Sequence, residues 1–101
     1  MASAVALPAA KNHLRTVTFR FDGRRKPTAR SVSLVGSFNR WDTSVHPMTR
    51  QSDGWWTISL ILAPGEYPYL LIVDGVPWND LDDDGRVPCE WGGEYSIRVA
   101  R

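Results

Sequence analysis

Trp55-Trp56-Thr57-Ile58-Ser59-Leu60-Ile61-Leu62-Ala63-Pro64-Gly65-Glu66-Tyr67-Pro68-Tyr69-Leu70-Leu71-Ile72-Val73-Asp74-Gly75-Val76-Pro77-Trp78 is the stretch whose reading decides the fold. It reads as strand, turn, strand, turn, strand. Residues 55–62 and 66–73 are rich in β-branched and aromatic side chains, Ala63-Pro64-Gly65 stops the first run, and Asp74-Gly75 is a two-residue hairpin turn into 76–78. On the core-facing side of the second run stand Tyr69, Leu71 and Val73, which leaves Pro68, Leu70 and Ile72 on the other.

The same alternation continues outward. Residues 14–21 place Val17, Phe19 and Phe21 opposite Thr16, Thr18 and Arg20, and Asp22-Gly23 then opens a polar turn. Residues 31–37 set Val32 and Leu34 against Ser31, Ser33 and Val35. A long connection over 38–53 closes at Asp53-Gly54, and after an acidic loop residues 95–99 make a last strand. No stretch of eleven residues has helical spacing. The expected fold is all-β, a two-layer antiparallel sandwich over residues 13–101, with 1–12 as a flexible tail.

Bulk properties exclude several functions. A formal net charge of +1 gives no electrostatic reason to bind nucleic acid or an anionic membrane, and the short apolar run near the N-terminus is too short to span a bilayer. The basic residues Arg20, Arg24, Arg25, Lys26 and Arg30 sit where a turn between strands normally collects charge. Cys89 is the only cysteine, so an internal disulfide is impossible, which fits a reducing cytoplasm. Neither His13 nor His46 has a nucleophile beside it in sequence, and the carboxylates cluster in one turn; no catalytic residues and no cofactor are expected. Asp80-Leu81-Asp82-Asp83-Asp84-Gly85 imitates the start of a calcium loop, but the position of the bidentate glutamate is Trp91. A solvated turn is the simpler reading.

Five tryptophans in 101 residues exceed what so small a core needs, so some are expected to face a ligand. Trp55 and Trp56 are adjacent in a strand and must point opposite ways, one of them into the core. Trp41 and Trp78 are the candidates for a ligand face; the alternative is that their loops cap the sandwich edge. Trp91 either folds over that face or covers the bottom of the core. Asn39 and Asp42 beside Trp41, and Asn79 and Asp80 beside Trp78, can hydrogen-bond a ligand, although turn formation is the reading Asn and Asp favour.

The segments Leu34-Val35-Gly36-Ser37-Phe38-Asn39-Arg40-Trp41, Pro47-Met48-Thr49-Arg50, Asp53-Gly54-Trp55-Trp56, Pro64-Gly65-Glu66-Tyr67-Pro68-Tyr69 and Val73-Asp74-Gly75 follow one another in the order and spacing of a known family. From Thr16 to Val99 the chain resembles the family-48 carbohydrate-binding module, the glycogen- and starch-binding domain of isoamylases, branching enzymes and the β subunit of AMP-activated protein kinase. The resemblance implies an early-set, immunoglobulin-like sandwich and a non-catalytic module that binds α-1,4-glucan (maltooligosaccharide or glycogen). It implies a sugar surface of two tryptophans and a lysine, helped by an asparagine near the last strand. By position, Trp41 and Trp78 match the two tryptophans, with the loop before Trp78 one residue longer than the family pattern. Leu70 stands where the lysine should be, and the region 93–95 has no asparagine. A missing neutral hydrogen bond of this kind costs about 0.5–1.5 kcal/mol. The apolar row Pro68, Leu70 and Ile72 raises a second expectation, an interface for a glucan-processing enzyme or a second copy of the chain.

Overall fold

The computed structural model describes residues 14–90 and 92–101. The expected tail, His13 and Trp91 lie outside the described residues. Eight strands are present among those described: β1 (Arg15–Asp22), β2 (Val32–Gly36), β3 (Thr49–Arg50), β4 (Trp55–Leu62), β5 (Gly65–Val73), β6 (Val76–Trp78), β7 (Gly85–Pro88) and β8 (Glu94–Ala100). They form two antiparallel sheets. One runs β1-β4-β3; the other runs β2-β5-β8-β7, with β6 also paired to β5. This is the all-β antiparallel sandwich expected from the alternation, and it agrees with the immunoglobulin-like fold that the resemblance implies. No helix among the described residues is long and apolar enough to cross a membrane.

The two inner faces make the core. In β1, Val17, Phe19 and Phe21 are buried while Thr16, Thr18 and Arg20 are exposed. The register sets Phe21 opposite Trp56 and Phe19 opposite Ile58. From the other sheet come Val32, Leu34, Tyr69, Leu71 and Val73. The rings of Phe19 and Tyr69 meet edge to face at 5.0 Å across the gap. Each such side chain contributes about 1.5–3 kcal/mol by leaving water. Trp56 is therefore the core tryptophan of the adjacent pair, and Trp55 is half-buried on the outer face, with the Arg20 guanidinium 5.1 Å from its ring centre.

A Cβ on Gly23 would collide with the Gly54 carbonyl oxygen, so the turns after β1 and before β4 pack this closely because residue 23 is glycine.

A polar layer crosses the interior where the sequence suggests a solvated acidic turn. Asp80 is buried: its carboxylate accepts from Tyr69 Oη at 2.6 Å and from Arg98 at 3.2 Å, while its own N–H donates to Ser96 Oγ. Burial and the hydrogen bond to Asp80 raise the Tyr69 pKa. Asp83 pairs with Arg86, and Asp84 accepts the Val99 N–H at 2.7 Å. The run 80–84 thus ties β8 and the loop to the sandwich, with Asp80 and Asp84 both beside the Arg98 guanidinium and Asp83 on Arg86.

The basic residues are likewise dispersed. Arg24 binds Asp22 at 2.7 Å, Lys26 approaches Asp74 at 3.8 Å, and the Arg25 guanidinium lies over Phe21 and Trp78. Cys89 is a free, buried thiol.

Candidate functional site

The outer face of the larger sheet is built from the alternate residues of its strands. Val35 in β2, Pro68, Leu70 and Ile72 in β5, Pro77 in β6 and Ile97 in β8 occupy it by register, since Val35 pairs with Leu70, Ile72 with Pro77 and Pro68 with Ile97. This face is not an open apolar strip. Leu70 is 5% exposed and Val35 3%. Pro68 and Ile72 are half-buried.

Trp41 reaches across this face. It leaves from the end of β2, yet its ring lies 4.6 Å from that of Tyr95 in β8, centre to centre, with 34° between the planes. Because β5 lies between β2 and β8, the indole has to bridge β5 at the level of Leu70. Tyr95 is anchored in turn by its hydroxyl, which donates to Glu90 Oε1 at 2.9 Å. The half-buried indole is therefore a plate backed by a second aromatic ring, and the rest of its surface is open to a ligand.

Local backbone geometry aims this plate. Arg40 and Trp41 have φ of 58° and 60°, two successive left-handed residues that are not glycine. Such a conformation costs about 1–2 kcal/mol per residue. Asn39 offsets it from below. Its Oδ1 accepts the Gly36 N–H at 3.1 Å, and its Nδ2 donates to the Leu34 carbonyl at 2.9 Å. Those two bonds settle which way the amide faces, so the remaining Nδ2 contact, 2.9 Å to His46 Nδ1, requires that nitrogen to be the acceptor. The Trp41 N–H closes the turn on the Gly36 carbonyl at 3.0 Å.

Asn39 is therefore a buried turn clamp, not a side chain facing a ligand. Asp42 is turned to Ser44, whose N–H and hydroxyl it accepts at 2.9 and 2.7 Å. Asn79 donates to the Glu94 carbonyl at 2.9 Å and to Ser96 Oγ at 3.2 Å, inside the sheet.

Trp78 is also placed differently from the expectation that it and Trp41 wall one site. The Asp74-Gly75 turn pairs Val73 with Val76, Ile72 with Pro77 and Leu71 with Trp78. Side chains opposite one another share a face, so Trp78 joins Leu71 on the inner side. There its ring meets Phe21 edge-on at 5.6 Å and packs against the core. Adjacent residues of a strand face opposite ways, so Pro77 takes the outer position.

The same face also carries a groove of about 350 Å³ lined by Ser31, Ser33, Thr43, Ile72 and Gly75. Its hydroxyls come from β2, from the residue before it and from the loop that presents Trp41. Sequence reasoning singled out neither Tyr95 nor this groove. Tyr95 has the alternation of an outward strand residue, but its pairing with Trp41 joins residues far apart in the chain.

The sequence from residue 26 to residue 84, more than half of the chain, matches the model of carbohydrate-binding module 48, the isoamylase N-terminal domain. The chain belongs to the family-48 carbohydrate-binding modules. Among curated relatives, the module is 50% identical over 50 residues to the 1,4-alpha-glucan branching enzyme GlgB 2 of Rhizobium etli, covering 48% of the module and 7% of that protein. It is 53% identical over 34 residues to the 1,4-alpha-glucan-branching enzyme of Emericella nidulans, covering 34% of the module and 5% of that protein. The 1,4-alpha-glucan branching enzyme of Synechococcus elongatus is 50% identical over 32 residues, 32% of the module and 4% of that protein. The matched stretches thus span only a small fraction of these relatives' length. Of the residues expected at the sugar surface, Trp41 is half-buried on the outer face, Leu70 is buried and Trp78 packs inward.

Proposed function

We propose that the module binds α-1,4-glucan, as maltooligosaccharide or the outer chains of glycogen, on the outer face of the larger sheet. Trp41, backed by Tyr95, is the stacking plate, and the Ser31, Ser33 and Thr43 hydroxyls supply the adjacent polar contacts. The observation that carries this reading is the half-buried Trp41 held in a clamped left-handed turn on a face that also carries a hydroxyl-lined groove, within a family of carbohydrate-binding modules. An indole face matches the C–H face of a glucose ring, and a plate fixed before binding loses little further freedom.

With one tryptophan on the face among the described residues and Leu70 in place of the lysine, a single site is weak. Tethering to a glucan-processing enzyme, or several modules on one glycogen particle, raises the effective affinity. No chemical step is assigned to the module itself. Docking of a partner or a second copy on Pro68, Leu70 and Ile72 is the less favoured reading, because Leu70 is covered.

Calorimetric titration with β-cyclodextrin tests the proposal. Saturable binding that falls by roughly tenfold or more in Trp41→Ala supports it, the effect expected of a central aromatic anchor. Equal binding by the variant, or no heat at millimolar ligand, overturns it.

A further inference from the structure

His46 stands at the far end of the loop that carries Trp41, and its side chain is half-buried. Its backbone is pinned to β2: the His46 carbonyl accepts the Leu34 N–H at 3.0 Å, and Met48 donates its N–H to the Val32 carbonyl at 2.7 Å. Its ring meets Phe38 edge-on at 6.2 Å, and its Nδ1 lies 2.9 Å from Asn39 Nδ2. The loop thus delivers an imidazole to the amide that braces the Trp41 turn.

That amide dictates the protonation of the ring. Asn39 Oδ1 accepts the Gly36 N–H at 3.1 Å and Nδ2 donates to the Leu34 carbonyl at 2.9 Å. Exchanging the oxygen and nitrogen would set donor against donor at Gly36 and acceptor against acceptor at Leu34, so the amide cannot turn over to suit the histidine. His46 has to offer a bare Nδ1 and carry its single proton on Nε2. A second proton, on Nδ1, would point one N–H at another. Rotating the ring by half a turn brings a C–H to the same place, which accepts nothing. The charged ring therefore leaves Asn39, or the amide gives up Gly36 and Leu34. Either way the left-handed pair Arg40 and Trp41 loses support from below.

Histidine is the side chain whose charge ordinarily changes between pH 5 and 8. The surroundings of His46 offer the added charge no counter-ion. β2 meets it with backbone, at Leu34 and at the bridge from Ser33 to Pro47. The turn after β2 presents Phe38 and Asn39, neither of which titrates. Tyr67 of β5 meets Phe38 in turn and donates its hydroxyl to the Ala63 carbonyl at 2.6 Å. On the loop itself Arg40 is exposed, and the Ser44 hydroxyl and N–H occupy the Asp42 carboxylate and hold it below the ordinary 3.8. Among the described residues no carboxylate pairs with His46.

We propose that His46 is a positioning residue for the Trp41 plate: neutral, it holds the turn through Asn39; protonated, it releases the turn and glucan affinity falls. The effect on affinity rests on the reading of Trp41 as the glucan plate, whereas the coupling of His46 to the turn stands on the hydrogen bonds alone. The braced turn excludes a proton from Nδ1, so binding is strongest above the range in which the ring charges and falls as the pH drops through it.

Two readouts on the whole chain test this. The first uses no ligand: long-range ¹H–¹⁵N spectra of the His46 ring, with the Asn39 side-chain amide and the Trp41 indole followed from pH 8 to pH 5. The Nε2–H form is expected at pH 8, with Asn39 and Trp41 shifts that track the protonation of His46. The second is calorimetric titration with β-cyclodextrin, uncharged over this range. Affinity is expected to be about five- to tenfold lower at pH 5 than at pH 8, the loss of one hydrogen bond. His46→Asn puts a carboxamide oxygen where Nδ1 stands and takes no proton there, so it should bind within about twofold of the unaltered chain at pH 8 and lose the pH dependence. His46→Phe, with no acceptor, should bind at pH 8 as weakly as the unaltered chain does at pH 5. Equal affinity at the two pH values, a pH dependence that survives in His46→Asn, or Asn39 and Trp41 signals that stay still while His46 protonates overturns the role of His46. No binding at either pH overturns the glucan reading alone, and the ligand-free signals then decide the role of His46 by themselves.

Discussion

Asn39 shows how one buried amide can serve binding without touching a ligand. Its three hydrogen bonds, at about 1 kcal/mol each, offset the left-handed turn at Arg40 and Trp41. Asn39→Ala is expected to destabilise the fold by about 1–3 kcal/mol, since it strands the Gly36 N–H. It should weaken β-cyclodextrin binding as well, and denaturant melts alongside titrations at a temperature where the variant is still folded separate the two effects. Asp74 makes a titratable tie of the same kind. The backbone N–H groups of Arg30 and Ser31 donate to its carboxylate and hold its pKa below the ordinary 3.8. A folded value below the unfolded one means that this tie contributes fully above about pH 4 and is lost as pH falls through the lowered value. Urea midpoints measured from neutral pH downward should therefore decline more gently in Asp74→Asn than in the unaltered chain. An identical acid limb in both would remove Asp74 from the account.

At the level of elements, β6 is the place where a single residue decides a face. Deleting Pro77 is expected to carry Trp78 from beside Leu71 to the outer side, opposite Ile72. The ring contact with Phe21 is then lost, at about 0.5–1.5 kcal/mol plus the burial it accompanies, and the Trp78 emission should move to the red. The same element shows what could be read in advance. Asp74-Gly75 signals a two-residue turn, which sets Trp78 opposite Leu71 on the inner face, whereas the resemblance implies an outward Trp78. The long strands were legible because one face of each is buried, as with Val17, Phe19 and Phe21. β3 and β7 were not: Thr49 and Arg50 are both exposed, as is all of Gly85–Pro88, so neither carries an apolar period. Leu70 reads as solvent-facing from its strand alone, yet it is 5% exposed in the fold, where the Trp41–Tyr95 pair joins residues from either side of β5. Asp80 reads as a loop residue because its partners, Tyr69 and Arg98, come from two other strands.

The whole molecule is a rigid two-sheet scaffold that holds aromatic plates on both outer faces, with almost no net charge. A neutral polymer approaching a module of charge +1 gains nothing from long-range attraction. Glucan affinity is therefore expected to change little between low and high salt, and isothermal titrations at both check it. Weak sites suit a domain whose ligand is a polymer with many equivalent chains, because repeated contacts multiply where a single contact does not hold. The central claim is that the Trp41 face is where the glucan lies. The most direct measurement is amide and indole shift mapping of the ¹⁵N-labelled chain with maltoheptaose. The account predicts saturable shifts at Trp41, Tyr95, Ser33, Thr43 and Ile72; signals from those residues that do not move at millimolar ligand would contradict it.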